Sequence, residues 1–294
     1  MTTIKLTQAG TLTTFDKPVT PENDPLKRWR SQWGNEYREV EPKFSEENHR
    51  DRSGRKFVTG DWSGIAICRK SQNKAIKAVE ATWVVPNCYP PQGAVANTVY
   101  TASFWFGIDG DGRPGDKSID ILQAGVDCDA VAGGNSRTAR ARAWWEWAPG
   151  ASHWIPELPV SPGDTIHGVI LVVAMGGQPK AVISLHNKTS AVASSFMVEP
   201  IEHTLFIGNC AEWIVEQIPP GLARYGAVWF DGARAFLDSG AEIGPELSGE
   251  LSIPYAIPDA QKRDISKGYI LGSNLVRCAY GNSDRTESAA KIGT

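Results

Sequence analysis

No run of about 18 apolar residues occurs in the chain, so no segment is expected to span a membrane as a helix. Charge of one sign is also lacking: 30 Lys and Arg stand against 33 Asp and Glu, a formal net charge of -3. Phosphate neutralisation needs a clustered basic surface, so no nucleic-acid partner is expected. Cysteine is sparse and odd in number. Cys68, Cys88, Cys128, Cys210 and Cys278 form no CxxC pair, so neither a zinc site nor a redox dithiol is indicated, and reduced thiols are expected. The five histidines, His49, His153, His167, His186 and His203, are scattered with no pair at ligand spacing, and no metal or cofactor is expected. The chain has no GxSxG elbow, no HExxH and no phosphate-cradling glycine loop, so three common catalytic plans are absent. The opening MTTIKLTQAGTLTTFDKP lacks the apolar stretch of a secretory signal, which fits a cytoplasmic protein or one whose leader has been removed.

What is present favours sheet. Eleven Trp and 29 Gly accompany few helical runs, and 41% hydrophobic residues suffice for one large core. Residues 1–57 are polar, with basic and acidic side chains nearly balanced, and read as an N-terminal extension, propeptide-like or a wrapping arm. Trp29, Trp33 and Tyr37 indicate that part of it packs against something. From Asp61 short β-rich runs follow one another, closed by Pro, Gly or Asp turns: 78–86, 98–108, 118–126, 165–174, 181–187, 211–217, 225–230 and 268–280. RTARARAWWEW at 137–147 alternates, with Arg140, Arg142, Trp144 and Glu146 on one face and Ala143, Trp145 and Trp147 on the other. The expected fold is all-β, a two-sheet antiparallel β-sandwich over residues 58–282, followed by a polar tail at 283–294. A monomer is expected.

Polar residues inside apolar strands are the candidate functional groups. Gln123 sits in ILQAG where a core strand favours Ile or Val, and Glu146 lies between tryptophans. Glu212 and Glu216 interrupt AEWIVEQ on one face of the strand. A buried carboxylate is costly unless paired or put to use, so these positions are hydrogen-bonded plugs or working groups. His167 reads as a hydrogen-bonded structural residue. The DGDGRPGD segment from Asp109 to Asp116 reads as a glycine-rich turn, because Arg113 occupies a position where a calcium loop needs oxygen.

The segments DWSG (61–64), FWFGIDG (104–110), ILQAGVD (121–127), AWWEW (143–147), PGDTI (162–166) and CAEWIVEQ (210–217) resemble, in this order, those of the glutamic peptidases, also called eqolisins. The resemblance implies a concanavalin-like sandwich with a concave groove for a polypeptide substrate. It implies Gln123 as the catalytic glutamine and Glu216, the second Glu of the AEW strand, as the catalytic glutamate. Trp62, Trp105, Asp109, Asp127, Trp144 and Glu146 match groove-lining or supporting positions. Arg142 departs from the family, which commonly carries an acid two residues before this Trp. It sets a cation on the groove face.

On this reading Glu216 takes a proton from water as it attacks a peptide carbonyl, and the Gln123 amide orients the water and steadies the oxyanion. The family implies an acid preference, and residues 1–57, which precede the first family motif and carry aromatics and basic side chains that could meet the acidic groove, are expected to restrain activity from near it. Two other readings stay open: a non-catalytic peptide- or carbohydrate-binding sandwich, and a glycoside hydrolase. For the latter, Glu212 and Glu216 lie about 13 Å apart along one strand, beyond the usual carboxylate spacing.

Overall fold

The structure is a computed structural model and describes residues 2–6, 12–16, 24–33, 37–44, 59–68, 75–110, 120–133, 138–174, 179–200, 204, 206–246 and 251–281. Most of the DGDGRPGD turn and the polar tail lie outside these residues. The N-terminal extension contributes β1 (Thr2–Leu6), β2 (Leu12–Asp16), helix α1 (Lys27–Trp33) and β3 (Arg38–Glu39). A short turn of 3-10 helix precedes β4 (Trp62–Cys68), followed by β5 (Ile76–Val84), β6 (Val99–Ile108), β7 (Ile121–Val131) and β8 (Thr138–Ala148). Next come β9 (Ser152–Trp154), β10 (Thr165–Ala174), β11 (Lys180–Asn187), β12 (Val192–Glu199) and β13 (Cys210–Ile218). The chain closes with β14 (Ala227–Leu237), β15 (Glu242–Ile243), β16 (Leu251–Pro258), β17 (Asp264–Gly272) and β18 (Leu275–Tyr280).

These strands make the two layers of an antiparallel sandwich. The front sheet runs β9-β8-β7-β6-β13-β4-β16. The back sheet runs β2-β1-β12-β11-β10-β5-β14-β18-β17-β16. Strand β16 belongs to both layers, because Leu251–Tyr255 pair with β4 while Ala256–Pro258 pair with β17. Alternation along the front strands sends one set of side chains into the core between the layers. Phe104, Phe106, Trp145, Trp147 and Trp213 meet Trp83, Ile170, Ile183, Phe196 and Phe230 there, all fully buried. Each phenylalanine so buried contributes on the order of 2–3 kcal/mol. The Trp213 indole N–H donates to the Glu80 carbonyl across the layers at 3.0 Å, so that polar edge is satisfied inside the core.

Two expectations are corrected here. Cys68 and Cys210, register partners on β4 and β13, form a disulfide, while Cys88, Cys128 and Cys278 are buried thiols outside it. The sequence offers no sign of this, because the two cysteines lie 142 residues apart and only strand pairing brings them together. The run at 268–280 is not one strand but the hairpin β17–β18, in register from Ser266↔Tyr280 to Gly272↔Leu275.

The described part of the extension packs mainly against the back sheet. Leu26 and Trp29 are buried on its outer face with Ala78, Val169, Val182 and Phe236. Trp29 donates its indole N–H to Glu80, Trp33 donates to His167 Nδ1 at 2.9 Å, and Arg234 pairs with Glu80 at 2.8 Å. His167 is thus a hydrogen-bonded structural residue. Strand β3 then pairs parallel with β12, and Phe44 packs against Trp145 and Phe196. Residues 24–33 and 37–40 therefore dock on the layer opposite the one that carries the candidate site, and Phe44 reaches the core between the layers.

Candidate active site

The site is on the outward face of the front sheet, and strand register lays it out as cross-strand rows. One row reads Ser152–Glu146–Gln123–Gly107–Glu212–Ala66 across β9, β8, β7, β6, β13 and β4. The next reads Trp154–Trp144–Gly125–Trp105–Ile214–Gly64. A third reads Arg142–Asp127–Ser103–Glu216–Trp62. All the expected site residues except Asp109 fall within these rows.

The first row holds the most unusual chemistry. Gln123, Glu146 and Glu212 are fully buried. Gln123 Nε2 donates to Glu146 Oε2 at 2.9 Å, which fixes the amide plane. Its Oε1 is buried without a direct protein partner among the described residues. Gln123 and Glu212 are two strands apart, about 10 Å between backbones, and the residue between them is glycine. A Cβ at Gly107 would lie 3.2 Å from Gln123 Cβ and 3.0 Å from the Leu122 carbonyl oxygen, so a side chain there would fill the space over which Gln123 and Glu212 face each other.

Glu216 lies elsewhere. It pairs with Ser103, four residues along β6 from Gly107, so its backbone is roughly 16 Å from that of Gln123. Its Oε2 accepts from the Trp105 indole N–H at 3.0 Å. Gln123 and Glu216 stand on the same outward face, on rows that the Trp105 row separates. Glu212, four residues earlier on β13 and on the same face, stands in the cross-strand row of Gln123. Sequence alternation marks both glutamates equally, and only pairing with β6 separates them.

Between the polar rows runs an aromatic one. Trp62, Trp105, Trp144, Trp154, Ile121 and Ile214 form a second apolar cluster, with Tyr255 packed against it. Trp62 meets Trp105 edge-on at 5.1 Å and Tyr255 at 5.8 Å. Gly125 separates Trp144 from Trp105, and a Cβ on it would come within 2.6 Å of Trp105 Cβ. Trp154 and Tyr255 carry no signal in the sequence beyond their residue type.

Asp109 stands below the rows, at positive φ (68°). Its carboxylate accepts from the backbone N–H groups of Ile207, Gly208 and Asn209 at 2.9, 2.8 and 2.5 Å. It therefore holds the loop that leads into β13 and fixes the approach to Glu212. Asp127 is fully buried opposite Arg142. The Arg142 guanidinium turns toward Asp129 at 2.6 Å and lies 3.6 Å above the Trp154 ring. Its charge is thus shared with Asp129 and the indole face of Trp154. Among the described residues, no three His, Cys, Asp or Glu side chains converge as metal ligands.

The profile of the peptidase A4 family matches residues 60–280. Aspergillopepsin-2 of Aspergillus niger is 31% identical over 159 residues, 50% of this chain and 49% of that protein, so the chain spans about half the length of this curated relative. A crystal structure of scytalido-glutamic peptidase with a transition state analog inhibitor superposes with a TM-score of 0.58 at 22% identity, covering 75% of this chain and 98% of that one. SCP-B, a member of the eqolisin family in complex with the tripeptide Ala-Ile-His, superposes at 0.55 with the same identity and coverage. At that identity the likeness to these two structures is one of fold. The profile match runs from the first strand of the front sheet to the last strand of the back sheet, and on it the chain belongs to the peptidase A4 family.

Proposed function

We propose that this chain is an endopeptidase in which Gln123 and Glu212 hold and activate the attacking water, with no covalent intermediate. The observation that carries this reading is the row Gln123–Gly107–Glu212. Glu212, as carboxylate, takes a proton while the water oxygen bonds to the scissile carbonyl carbon. Gln123 Oε1 accepts a hydrogen bond from the same water. One N–H of its Nε2 goes to Glu146, and the second is left to donate to the oxyanion. When the C–N bond breaks, Glu212 returns its proton to the leaving amine, giving a carboxylic acid and an amine. Glu146 is a positioning residue that acts through Gln123. The aromatic row and Asp127 line the groove beside them, and Glu216 braces Trp105. By its resemblance to the glutamic peptidases, the proposed enzyme is expected to work on the acid side.

The test is hydrolysis of an unfolded protein substrate from about pH 2 to 8, with products identified by mass spectrometry in ¹⁸O-water. Cleavage with label in the new carboxyl group, lost in Glu212→Gln, is the expected result. A folded protein that cleaves nothing across that range would sink the proposal.

A further inference from the structure

At the free end of β8 the front sheet carries a pocket of about 500 Å³, and the reaction proposed above does not use it. Arg140, Arg142, Trp154, Leu158 and Pro159 are among its walls, which among the described residues include no Asp, Glu or Lys. Asp129 lies behind it on β7 and is already engaged: Thr101 Oγ1 donates to Oδ1 at 2.8 Å and Arg142 Nη2 to Oδ2 at 2.6 Å. Arg140 reaches the same Oδ2 only at 3.4 Å, and 57% of its side chain is exposed. Arg142 is held flat over Trp154 at 3.6 Å, which presets the plane of its fork. The backbone adds a further feature. Ala143 accepts from the Ile155 N–H at 3.0 Å, so by strand alternation Ala141 also directs its N–H and carbonyl to this side, where no described strand pairs it.

A strand edge with one donor and one acceptor, flanked by two guanidinium groups above an indole, suits an extended peptide bearing a carboxylate. We infer that this pocket is a carboxylate-reading subsite of the substrate groove, which selects peptides with an acidic group remote from the scissile bond. The inference rests on the peptidase reading for its place in catalysis, but not for binding. Arg142 lies four residues along β8 from Glu146, so a carboxylate held there is roughly 16 Å from Gly107, about four or five extended residues away. Selection therefore falls at that distance and not at the residues flanking the cleaved bond. An Asp or Glu side chain and a free chain end offer the same chemistry.

The experiment profiles cleavage of a positional peptide library in two forms, C-terminally amidated and free. In the amidated form, Asp or Glu about four or five residues from the cleaved bond is expected to raise kcat/KM about tenfold over Asn or Gln, the scale of one charge-assisted contact. Arg140→Glu should bring that ratio to one or below, while Arg140→Lys should keep most of it. Enrichment confined to free C-termini ending at that distance, and lost in Arg140→Glu, would assign the pocket to the chain end and still support it. An acidic preference absent in both forms, or unchanged in Arg140→Glu, overturns the inference and leaves the peptidase reading standing. If nothing is cleaved, calorimetric binding of a Glu peptide and its Gln twin to Glu212→Gln decides the matter. Tighter binding of the Glu peptide that Arg140→Glu removes supports the pocket, and equal binding overturns it.

Discussion

At the scale of single residues, the two glutamates of β13 differ in what faces them. Glu212 has Gly107 and then Gln123 along its row, whereas Glu216 has Ser103 and Asp127 and accepts from Trp105. Glu212→Gln and Gln123→Ala are each expected to lower kcat/KM by about 10²–10³-fold with the fold intact, the usual cost of losing one transition-state contact. Glu216→Gln should cost less than about tenfold, because an amide oxygen still accepts the Trp105 N–H. Equal losses at the two glutamates would return the catalytic carboxylate to Glu216. Gly107→Ala tests the same geometry from the floor of the site: its Cβ would sit 3.2 Å from Gln123 Cβ, so activity should fall further than thermal stability. Gln123, Glu146, Glu212 and Glu216 were all legible as polar intrusions in apolar strands, since a period of two fixes their face. Which glutamate opposes Gln123 was not legible, because register is a relation between strands far apart in sequence.

At the scale of elements, some strands were readable to their ends, while the runs 118–126 and 225–230 stop short of the ends of β7 (Ile121–Val131) and β14 (Ala227–Leu237). Residues 165–174 coincide with β10, and 98–108 with β6 to one residue. The hairpin β17–β18 was read as one run because its turn, Ser273–Asn274, is only two residues long between apolar stretches. Helix α1 was not legible: with seven residues it is too short to show a period, and it is held by docking Trp29 rather than by its own hydrogen bonds. The cross-strand disulfide was likewise hidden. It ties β4 to β13 two residues from Glu212. Thiol titration of the denatured, unreduced chain should therefore find three groups, Cys88, Cys128 and Cys278, and the native chain should react slowly because all three are buried. Burial also pushes the Cys128 and Cys278 thiols up, which keeps the reactive thiolate scarce. Cys68→Ser should lower unfolding free energy by about 2–4 kcal/mol, read from the denaturant midpoint. Five titratable thiols would remove the bridge.

At the scale of the whole molecule, the arm joins parts of the sandwich that the strands alone leave apart, and its anchors rest on histidines. Trp33 donates to His167 Nδ1, Trp33 and Tyr37 pack on His186 at 5.1 and 5.4 Å, and Phe44 lies 6.1 Å from His153, which is stacked on Trp145. Burial lowers both His153 and His186 to about 4 from 6.5, and His167 and Lys188 add to the effect at His186. Glu80, held by Arg234, faces His167 at 3.8 Å and is the one carboxylate in that group. With the arm released, the His153 and His186 imidazoles regain water and their ordinary affinity for protons. Release therefore takes up protons between the two values. Docking is at full strength above about pH 6.5, weakens as the pH falls from there to about 4, and changes no further below through these groups. Hydrogen exchange of the amides at 24–33 and 37–44 should be slow at neutral pH and quicken across that window after correction for intrinsic rates. His153→Phe with His186→Phe should flatten the dependence. Deleting residues 1–44 should lower thermal stability at neutral pH, because Ala78, Val169, Val182 and Phe236 lose their cover. A truncated chain as stable as the full one, or protection that does not change with pH, would mean that the arm is only lightly attached and carries no proton linkage.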